Sequence, residues 1–411
     1  MRRGIFHPVE LQKARPASTL VPHCGACGLH ERCLSPKMPV TGQGQKGILL
    51  VGEAPGRNED QQGRQFVGDS GKLLEEALWE CRIDMRRDCW ITNAVICRPP
   101  GNNLPPLAVQ HCRANIIQTI ERLKPHTIIL LGRAAVQSVI GWIWKEDPGP
   151  ISRWVGWRIP CKQVNAWICP TYHPSFLLRQ MGSGRHRGPD VAAALFQQHL
   201  LRAVAHTERP YAEVPDREAC LTRTLDPDVV RDHLEQYRAD QRPIAFDYEN
   251  DRLKPDHPEA RILSCAVSDG VTAVAYPWDG DAIAATQELL HSGIPVIGWN
   301  LQHEERWTQR LFGKGVANWI WDGMLTAHIL DNRRGVCGLK FQSFVGLGEL
   351  SYDDALKPYM KSKNSNDPNR LTTVPLARLL LYNAKDALFT HLIAQQQMQA
   401  LGTSIDAYHL P

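Results

Sequence analysis

The sequence predicts two α/β domains, each built around its own hydrophobic core. Its 411 residues, 43% hydrophobic and 22% charged, are enough for two such cores. In both halves, short apolar runs alternate with stretches of helical period. The two halves also differ in the sign of their net charge, with the change near residues 208–210.

The first half is predicted to contain a parallel sheet. Residues 47–52 (GILLVG) and 127–132 (TIILLG) are short apolar runs that end in glycine, which is typical of buried parallel strands. Between these strands, residues 71–78 and 114–120 place apolar side chains near the helical period. The alternation of strands and helices predicts a layered α/β domain, which we assign to residues 1–206.

The second half is predicted to be an α/β domain as well. Residues 207–241 are polar, with scattered prolines and one helix at 228–237, and we interpret them as a linker. The domain then covers residues 242–403, followed by a C-terminal tail at 404–411. Strands are expected at residues 243–247, 262–267, 271–276 and 295–298, and helices around Arg306, Leu325 and Leu388.

The overall net charge of +4 conceals two halves of opposite sign. Residues 1–206 hold 26 Lys and Arg against 15 Asp and Glu, a net charge of +11, whereas the remainder holds 21 against 28, a net charge of −7. A basic first half favours binding to a polyanion such as nucleic acid. An acidic second half suits nucleic-acid chemistry only if bound cations offset its carboxylates. Solvated surface charge is the alternative for either half.

The chain shows no pattern typical of a signal peptide or a membrane span. Its basic N-terminus is not followed by an unbroken apolar run. We therefore expect a cytoplasmic protein that does not bind a membrane. Its 12 cysteines are irregularly spaced, which favours reduced thiols and metal ligation over a set of disulfides.

Four cysteines are spaced as candidate metal ligands. Cys24 and Cys27 are separated by two residues, so one turn can present both sulfurs to a common metal. Cys97 and Cys112 can close the cage from another part of the fold. The spacing alone leaves open a zinc site, an iron-sulfur cluster or ordinary buried thiols. Cys33 is close enough to compete as a ligand, and the other seven cysteines are expected in the core.

Four motifs follow one another in the first half. The predicted strand at 48–51 leads into GEAPGRNED, at the strand end where ligand sites lie in open α/β sheets. The other motifs are GRQFVG (63–68), ITNAVICRPPGN (91–102) and TYHPSFLLR (171–179). Together with the cysteine spacing, they resemble the family 4 uracil-DNA glycosylases over roughly residues 20–205. The resemblance implies an α/β/α sandwich with a parallel central sheet, uracil-containing DNA as substrate, and a 4Fe-4S cluster on Cys24, Cys27, Cys97 and Cys112.

The residue types in these motifs suit cleavage of an N-glycosidic bond. Breaking this bond builds positive charge on the sugar and negative charge on the departing base, so a carboxylate and hydrogen-bond donors are needed on opposite sides. The resemblance implies that Glu53 orients or activates the attacking water and that Glu59 lines the uracil pocket. The Asn93 amide can donate to one edge group of uracil and accept from its N3–H. Phe66 would stack on the extruded base, and His173 would donate to the uracil oxygen that gains charge.

Each of these residues also has a structural alternative. An asparagine before a proline-rich loop is commonly a turn former, and a single phenylalanine is commonly a core residue, but the co-occurrence of the motifs favours function. Arginines expected to contact DNA phosphates or to fill the vacated base stack are Arg64, Arg98, Arg179, Arg185 and Arg187. The tryptophan-rich insertion at residues 142–157 is either core or a stacking platform for single strands.

The second half carries a different set of motifs. Asp247 and Glu249 lie two apart on a predicted strand and so share one face, although this spacing alone also suits a solvated strand edge. GWNLQHEERW (298–307) follows, and then YNAKD (382–386) within an apparent helix. In this order the motifs resemble the proofreading 3′→5′ exonuclease domain of family A DNA polymerases. The resemblance implies a ribonuclease H-like fold with a mixed sheet.

The exonuclease resemblance implies catalysis with two divalent ions, Mg²⁺ or Mn²⁺. Asp247, Glu249 and Asp386 would hold the ions, and Tyr382 would orient the attacking water. The second motif usually supplies an aspartate where this chain has Glu304, whose extra methylene group alters the metal geometry. Glu305 is the alternative ligand at this place.

The two resemblances together predict a DNA repair or replication enzyme with two hydrolytic activities on DNA. No polymerase palm motif follows Ala400, so we expect either a part or relative of a phage-type polymerase, or a complete two-domain nuclease. A DNA polymerase is accordingly a candidate partner. The alternative from a different class is a non-catalytic uracil- or DNA-binding module attached to an exonuclease. The joint presence of Glu53, Asn93 and His173 favours an active glycosylase.

Overall fold

The computed structural model of the protein describes residues 24–144, 147–182, 191–205, 208–350, 352–364 and 367–408. The chain forms two compact units. Unit 1 is Met1–Trp142 with Thr171–Val204, and unit 2 is Ile143–Pro170 with Ala205–Pro411. No described helix is long and apolar enough to cross a membrane.

Strands and helices alternate along most of the described chain. The strands are β1 (Ile48–Gly52), β2 (Cys89–Asn93), β3 (Thr127–Leu131), β4 (Ile159–Cys161), β5 (Ala166–Thr171), β6 (Leu221–Arg223), β7 (Ile244–Asn250), β8 (Ile262–Ser268), β9 (Ala273–Pro277), β10 (Val296–Gly298) and β11 (Trp319–Asp322). The helices are α1 (Arg57–Gln62), α2 (Asp69–Glu80), α3 (Met85–Asp88), α4 (Ala108–Leu123), α5 (Arg133–Ile143), α6 (Pro174–Gly182), α7 (Val191–Val204), α8 (Pro227–Asp240), α9 (Gly280–His291), α10 (Gln302–Phe312), α11 (Gly323–Leu330), α12 (Leu339–Leu347), α13 (Lys357–Met360) and α14 (Leu376–Ala400).

Unit 1 is organised around β1, which pairs in parallel with β2 on one side and with β3 on the other. Every residue of β1 and of β3 is buried, as the continuous apolar runs predict for strands covered on both faces. The helices predicted at 71–78 and 114–120 form the central parts of α2 and α4. The predicted parallel α/β core is therefore confirmed.

Unit 2 contains a six-stranded sheet in the order β11-β10-β7-β8-β9-β6. β8 runs antiparallel to both β7 and β9, whereas β10 is parallel to β7 and β11. The predicted mixed sheet is therefore confirmed. The long helix α14 packs against β7, β8 and β9, and this contact brings its buried face to the strand that carries Asp247 and Glu249.

The segment predicted as a linker, 207–241, carries regular structure of unit 2. β6 pairs in parallel with β9 at one edge of the sheet. α8 begins at Pro227, one residue after Asp226, whose side chain accepts a hydrogen bond from the Asp228 N–H. Val230, Leu234 and Tyr237, spaced for one helix face, are buried in the core of the unit. The domain boundaries at 206 and 241 stay a prediction.

Part of the tryptophan-rich insertion lies in the core of unit 2. Trp144 and Trp154 are buried, and their rings contact Phe344 and Phe341 of α12, with centroid separations of 4.9 and 5.3 Å. The Arg153 guanidinium lies 4.5 Å from the centroid of the Phe341 ring. Of the two interpretations of the insertion, the core role therefore holds for these two tryptophans.

Candidate active sites and metal centres

The first candidate site lies where β1 and β2 end. Their parallel register pairs Gly52 with Asn93, which is buried. A Cβ atom added to Gly52 would lie 2.4 Å from Asn93 Oδ1 and 2.7 Å from Phe66 Cζ. Because Gly52 has no side chain, the Asn93 amide and the Phe66 ring can approach the same point.

His173 joins these two residues from the other side. A Cβ atom added to Gly132, which follows β3 with φ +91°, would lie 2.9 Å from His173 Cβ. The rings of His173 and Phe66 are stacked, with centroids 6.1 Å apart and planes at 28°. The structure thus brings together Asn93, Phe66 and His173, which are far apart in the sequence.

Hydrogen bonds determine which nitrogen of His173 carries the proton. The Ser175 backbone N–H donates to Nδ1 at 3.2 Å, and the Ser175 hydroxyl lies 2.8 Å from the same nitrogen. Nδ1 is therefore an acceptor, so the neutral ring carries its proton on Nε2. Burial, and then the charge of Arg179, lower the pKa of His173 to about 4. At neutral pH the ring is an uncharged donor through Nε2.

Glu53 directly follows Gly52 and is half-buried. Its carbonyl accepts a hydrogen bond from the Val95 N–H at 2.9 Å, which ties the loop after β1 to the loop after β2. Burial raises the pKa of the Glu53 carboxyl, and the positive charge of Arg179 lowers it in part. Arg179 therefore favours the ionised carboxylate.

Glu59 supports the loop that carries Phe66. Its Oε1 atom accepts hydrogen bonds from the backbone N–H groups of Val67 and Gly68, at 2.9 and 2.8 Å. A Cβ atom on Gly56 would lie 2.5 Å from Glu59 Oε2, so Gly56 leaves room for this carboxylate. Glu59, which is predicted to line the pocket, is therefore hydrogen-bonded to the backbone of the Phe66 loop.

The predicted DNA-contacting arginines differ in their surroundings. Arg64 and Arg179 are exposed, and Arg179 donates to Ser175 Oγ at 3.2 Å. Arg98 is half-buried and lies 3.8 Å from an oxygen of Asp60. Arg185 and Arg187 lie outside the described residues.

Four cysteines predicted as ligands, Cys24, Cys27, Cys97 and Cys112, line one cavity of unit 1. Backbone N–H groups point at two of their sulfurs, from Lys37 to Cys97 at 3.2 Å and from Ile96 to Cys112 at 3.5 Å. Burial, with the neighbouring thiols, raises the pKa of Cys97 to about 11. Four thiols with N–H donors are a suitable donor set for a metal centre that displaces their protons.

The remaining cysteines are not all core residues as predicted. Cys33 is not among the cavity-lining residues, but its thiol is one of those that raise the pKa of Cys97, and it lies 3.9 Å from the His30 carbonyl. Cys89, Cys161, Cys169 and Cys265 are buried, whereas Cys81 and Cys337 are half-buried and Cys220 is exposed. The core prediction is therefore wrong for Cys220, because position 220 precedes an edge strand.

The second candidate site is a carboxylate cluster in unit 2. One oxygen each of Asp247 and Glu249 on β7 and of Asp386 on α14 lie within 4.8 Å of one another. Burial, and then the charge of Asp386, raise the pKa of Asp247, and burial raises the pKa of Glu249. Such a cluster favours either bound protons or a bound cation. Tyr382 is buried one helical turn before Asp386.

Glu304 and Glu305, the two candidates in the second motif, have different surroundings. Glu304 is 3% exposed, and its Oε2 atom has no hydrogen-bond partner among the described residues. Burial and the charge of Asp247 raise its pKa, and the carboxyl does not belong to the three-residue group. Glu305 Oε2 accepts from the Val316 N–H at 3.0 Å and from Trp319 Nε1 at 2.9 Å. Glu305 is therefore bonded to β11 and the residue Val316 before it, and the alternative that it replaces Glu304 as a ligand stays a prediction.

Sequence comparisons agree with the geometry of unit 1. Residues 39–198 match the family model of the uracil DNA glycosylase superfamily. The type-4 uracil-DNA glycosylase of Pyrobaculum aerophilum is 39% identical over 177 residues, which cover 42% of this chain and 86% of the relative. The chain belongs to the type-4 uracil-DNA glycosylase family. The type-4 relative from Thermotoga maritima is 37% identical, with 41% of this chain and 85% of the relative covered.

C-terminal to its type-4 glycosylase part, the chain contains a 3′-5′ exonuclease domain, whose family model matches residues 224–401. Brucella melitensis NrnC bound to pGG is similar with TM-score 0.32 and 19% identity, covering 46% of this chain and 85% of that chain. Escherichia coli RNase D is similar with TM-score 0.31 and 17% identity, and the match covers 44% of this chain and 45% of the RNase D chain. Because both scores are below 0.5, the assignment of unit 2 rests on its strand order and the family match.

Three further residues of the exonuclease domain contact the metal-ligand candidates. Asn383 donates from Nδ2 to Asp247 Oδ2 at 2.8 Å and accepts at Oδ1 from the Ser264 hydroxyl at 2.9 Å. Lys340 and Tyr352 both contact Asp386 Oδ1. The Lys340 ammonium also lies 4.2 Å from the ring centroids of Tyr352 and Tyr382. Asn383 lies within the YNAKD motif at 382–386, whereas no local pattern points to Tyr352.

Proposed function

We propose that this member of the type-4 uracil-DNA glycosylase family excises uracil from DNA in unit 1 and removes nucleotides from 3′ ends in unit 2. The observation that carries the first activity is the meeting of Asn93, Phe66 and His173 next to the loop that begins with Glu53. The second activity, removal of nucleotides from 3′ ends, is supported by the carboxylate cluster of Asp247, Glu249 and Asp386.

In uracil excision, the Asn93 amide reads the edge of the base while the Phe66 ring stacks on its face. The Nε2–H of His173 donates to the uracil oxygen that gains negative charge as the N-glycosidic bond breaks. Because the neutral form of His173 is the stable one, this group stabilises charge by a hydrogen bond and keeps its proton. The Glu53 carboxylate orients the attacking water and stabilises the positive charge on the sugar.

Cys24, Cys27, Cys97 and Cys112 are proposed to hold a 4Fe-4S cluster. The arrangement of four thiols around one cavity and the N–H donors beside Cys97 and Cys112 support this assignment. When bound, the cluster would cross-link the turn at Cys24 and Cys27 to α4 and to the loop after β2. Glu59 holds the Phe66 loop in place, and Arg64, Arg98 and Arg179 are proposed to contact phosphates.

In the exonuclease domain, Asp247, Glu249 and Asp386, with Glu304 beside them, are proposed to hold Mg²⁺ or Mn²⁺ ions. The ions would stabilise charge on the attacking and the leaving oxygen. The buried Oε2 atom of Glu304, which lacks a described partner, and the raised pKa of Asp247 are both consistent with a cation at this site. Tyr382 orients the attacking water.

DNA is the common substrate of both units, and a DNA polymerase is a proposed partner. The partner proposal rests on the resemblance of the unit 2 motifs to a proofreading domain. A polymerase that extends a mismatched 3′ end faster in the presence of this protein than with its Asp247→Asn variant would support it. Equal extension rates would contradict it.

The first activity is tested with a 5′-labelled single-stranded oligonucleotide that contains one uracil, incubated in EDTA and then treated with alkali. Uracil-dependent scission is expected, and it should disappear in Glu53→Gln and on the same oligonucleotide with thymine. Loss of scission with retained DNA binding in the unaltered protein would instead indicate a uracil- or DNA-sensing module. The second activity is then tested with Mg²⁺ or Mn²⁺, and it should disappear in Asp386→Asn.

A further inference from the structure

Phe66 has a backbone conformation that phenylalanine rarely adopts. Its φ is +52°, in the left-handed region that favours glycine, and its side chain is 7% exposed. A non-glycine residue keeps this conformation only when its surroundings enforce it, and such residues are common at functional sites. The contacts that enforce it at Phe66 therefore bear on uracil binding.

Arg86 of α3 supplies the contacts on one side of this loop. Its Nη2 atom donates to the carbonyl of Gln65 at 2.9 Å and to the carbonyl of Phe66 at 2.7 Å. The two carbonyls flank the strained φ,ψ pair, so one guanidinium holds the peptide groups on both sides of it. A hydrogen bond donated by a charged group is stronger than a hydrogen bond between neutral groups, and Arg86 makes two of the charged kind.

Other groups hold the same loop from different directions. The buried Gln65 side chain donates to the Pro39 carbonyl and accepts from the Thr41 hydroxyl, each at 2.6 Å. Gly71 lies so close that an added Cβ atom would be 2.2 Å from the Phe66 carbonyl oxygen. With Glu59 bonded to the next two N–H groups, the position of the Phe66 ring is determined by its backbone rather than by its own packing alone.

The position of Arg86 is not explained by an ordinary surface ion pair. The side chain is half-buried, and its Nη1 atom is buried without a hydrogen-bond partner among the described residues. Burying a guanidinium is unfavourable unless its hydrogen bonds compensate, and these are made to the carbonyls of the Phe66 loop. The next residue, Arg87, is exposed and pairs with Asp88 through two hydrogen bonds at 2.8 and 3.1 Å.

We propose that Arg86 is a positioning residue for uracil excision, because its guanidinium holds the backbone of Gln65 and Phe66 in the conformation that presents the Phe66 ring to the extruded base. Arg86 does not touch the base in this arrangement, and its effect is transmitted entirely through Phe66. The inference rests on the proposed role of Phe66 as the stacking residue.

A double-mutant cycle tests this transmission. Uracil excision by the full chain is measured in EDTA for the unaltered protein, Arg86→Met, Phe66→Ala, the double variant and Arg87→Met. Phe66→Ala is expected to lower kcat/KM by about 10- to 100-fold, the range for loss of one base-aromatic stack. Arg86→Met is expected to lower it by about tenfold, since small displacements of positioning groups are costly.

The decisive comparison is between the double variant and Phe66→Ala. Their kcat/KM values should agree within about twofold, because once the ring is removed Arg86 has nothing left to position. Arg87→Met, the matched control on the same helix, should leave kcat/KM unchanged. Affinity of Arg86→Met for uracil-free single-stranded DNA should also be unchanged, which a general loss of structure would not allow.

A full additional loss in the double variant, or normal activity of Arg86→Met, would overturn the inference while leaving the proposed glycosylase intact. Normal activity of Phe66→Ala would remove the stacking role and this inference with it, whereas loss in Glu53→Gln would still support uracil excision. If Arg86→Met does not fold, as judged by its unfolding temperature, Arg86→Lys replaces it in the cycle. Arg86→Lys should retain part of the activity, since an ammonium can still donate to one of the carbonyls.

Discussion

Arg179 is an exposed residue of α6 whose charge acts on two groups of the glycosylase site. It lowers the pKa of His173 and opposes the burial that raises the pKa of Glu53. His173 must be neutral for Nδ1 to accept from Ser175, and Glu53 must be ionised to orient water. Because a lower pKa favours both forms that the proposed mechanism uses, we expect Arg179 to extend the active pH range toward acid.

We predict that Arg179→Met moves the acid limb of the normalised pH profile of uracil excision to higher pH. Without the arginine charge the pKa values of Glu53 and His173 both rise, so each group takes up its inhibiting proton at a higher pH than before. The measurement is kcat/KM against pH in EDTA, and Arg122→Met, an exposed arginine of α4, is the control. An acid limb that does not move would contradict the electrostatic role.

Asn383 is the corresponding positioning residue of the exonuclease domain. It is fully buried, and its amide orientation is determined because the Ser264 hydroxyl donates to Oδ1 while Nδ2 donates to the carboxylate and the carbonyl of Asp247. Mutation of a residue that orients a metal ligand in this way commonly lowers the affinity for the metal by about 10- to 100-fold.

We predict that Asn383→Ala raises the Mg²⁺ concentration for half-maximal exonuclease activity by about tenfold. The Asp247 carboxylate loses one of the hydrogen bonds that orient it toward the metal site. Digestion of a 3′ end is measured against Mg²⁺ concentration, with uracil excision by the same protein as the internal control. Ser264→Ala should act in the same direction with a smaller effect, and an unchanged Mg²⁺ requirement in Asn383→Ala would disprove the role.

Among the elements of unit 2, α12 is covered by a segment that precedes it by almost 200 residues. The segment contains Trp144 and Trp154, whose rings contact α12. It is also held by Arg333, whose guanidinium donates to the carbonyls of Ser152 and Val155 at 2.7 and 2.8 Å. α12 also carries Lys340, which contacts Asp386. Packing of this segment is thereby connected to the exonuclease site.

We predict that Trp154→Ala destabilises unit 2 by about 3–5 kcal/mol, the usual cost of removing a buried aromatic ring. Trp154 is 0% exposed and would leave a cavity against Phe341 and Trp144. The unfolding temperature and the exonuclease activity on warming should both fall. Trp79→Ala is the matched control, because Trp79 is 70% exposed, and similar losses in both variants would contradict the core role.

The two proposed chemistries need different groups, and these groups lie in separate units. In the proposed mechanism the carboxylates of unit 2 hold cations, whereas excision in unit 1 uses Asn93, His173 and Glu53, and none of these three is proposed to bind a divalent ion. The charge difference between the halves agrees with this division, since a basic half attracts DNA and an acidic half binds cations.

We predict that single substitutions separate the two activities. Asp247→Asn should lower exonuclease activity by at least about 100-fold, because it removes a charged metal ligand, and should leave uracil excision intact. Glu53→Gln should do the reverse, and EDTA should reproduce the effect of Asp247→Asn. Both activities are assayed on the same labelled strand, and a loss of excision in Asp247→Asn would show that the units depend on each other.

The strand cores and most of the candidate site residues follow from local sequence pattern. Spacing along one strand or helix decides which side chains share a face, so Asp247 with Glu249, and Tyr382 with Asp386, were predictable from local pattern. Strands that are buried on both faces must be apolar throughout, which made β1 and β3 recognisable.

Contacts between elements that are distant in the chain could not be predicted from local pattern. Two adjacent glutamates look alike in the sequence, but packing buries Glu304 without a hydrogen-bond partner for Oε2 among the described residues, whereas Glu305 accepts from Trp319 Nε1. The same holds for Arg86 and Phe66, and for Asn383 and Asp247, whose pairing across 136 positions leaves no local pattern. The physical reason is that local geometry repeats with the period of a strand or helix, whereas burial and hydrogen-bond partners depend on which surfaces meet.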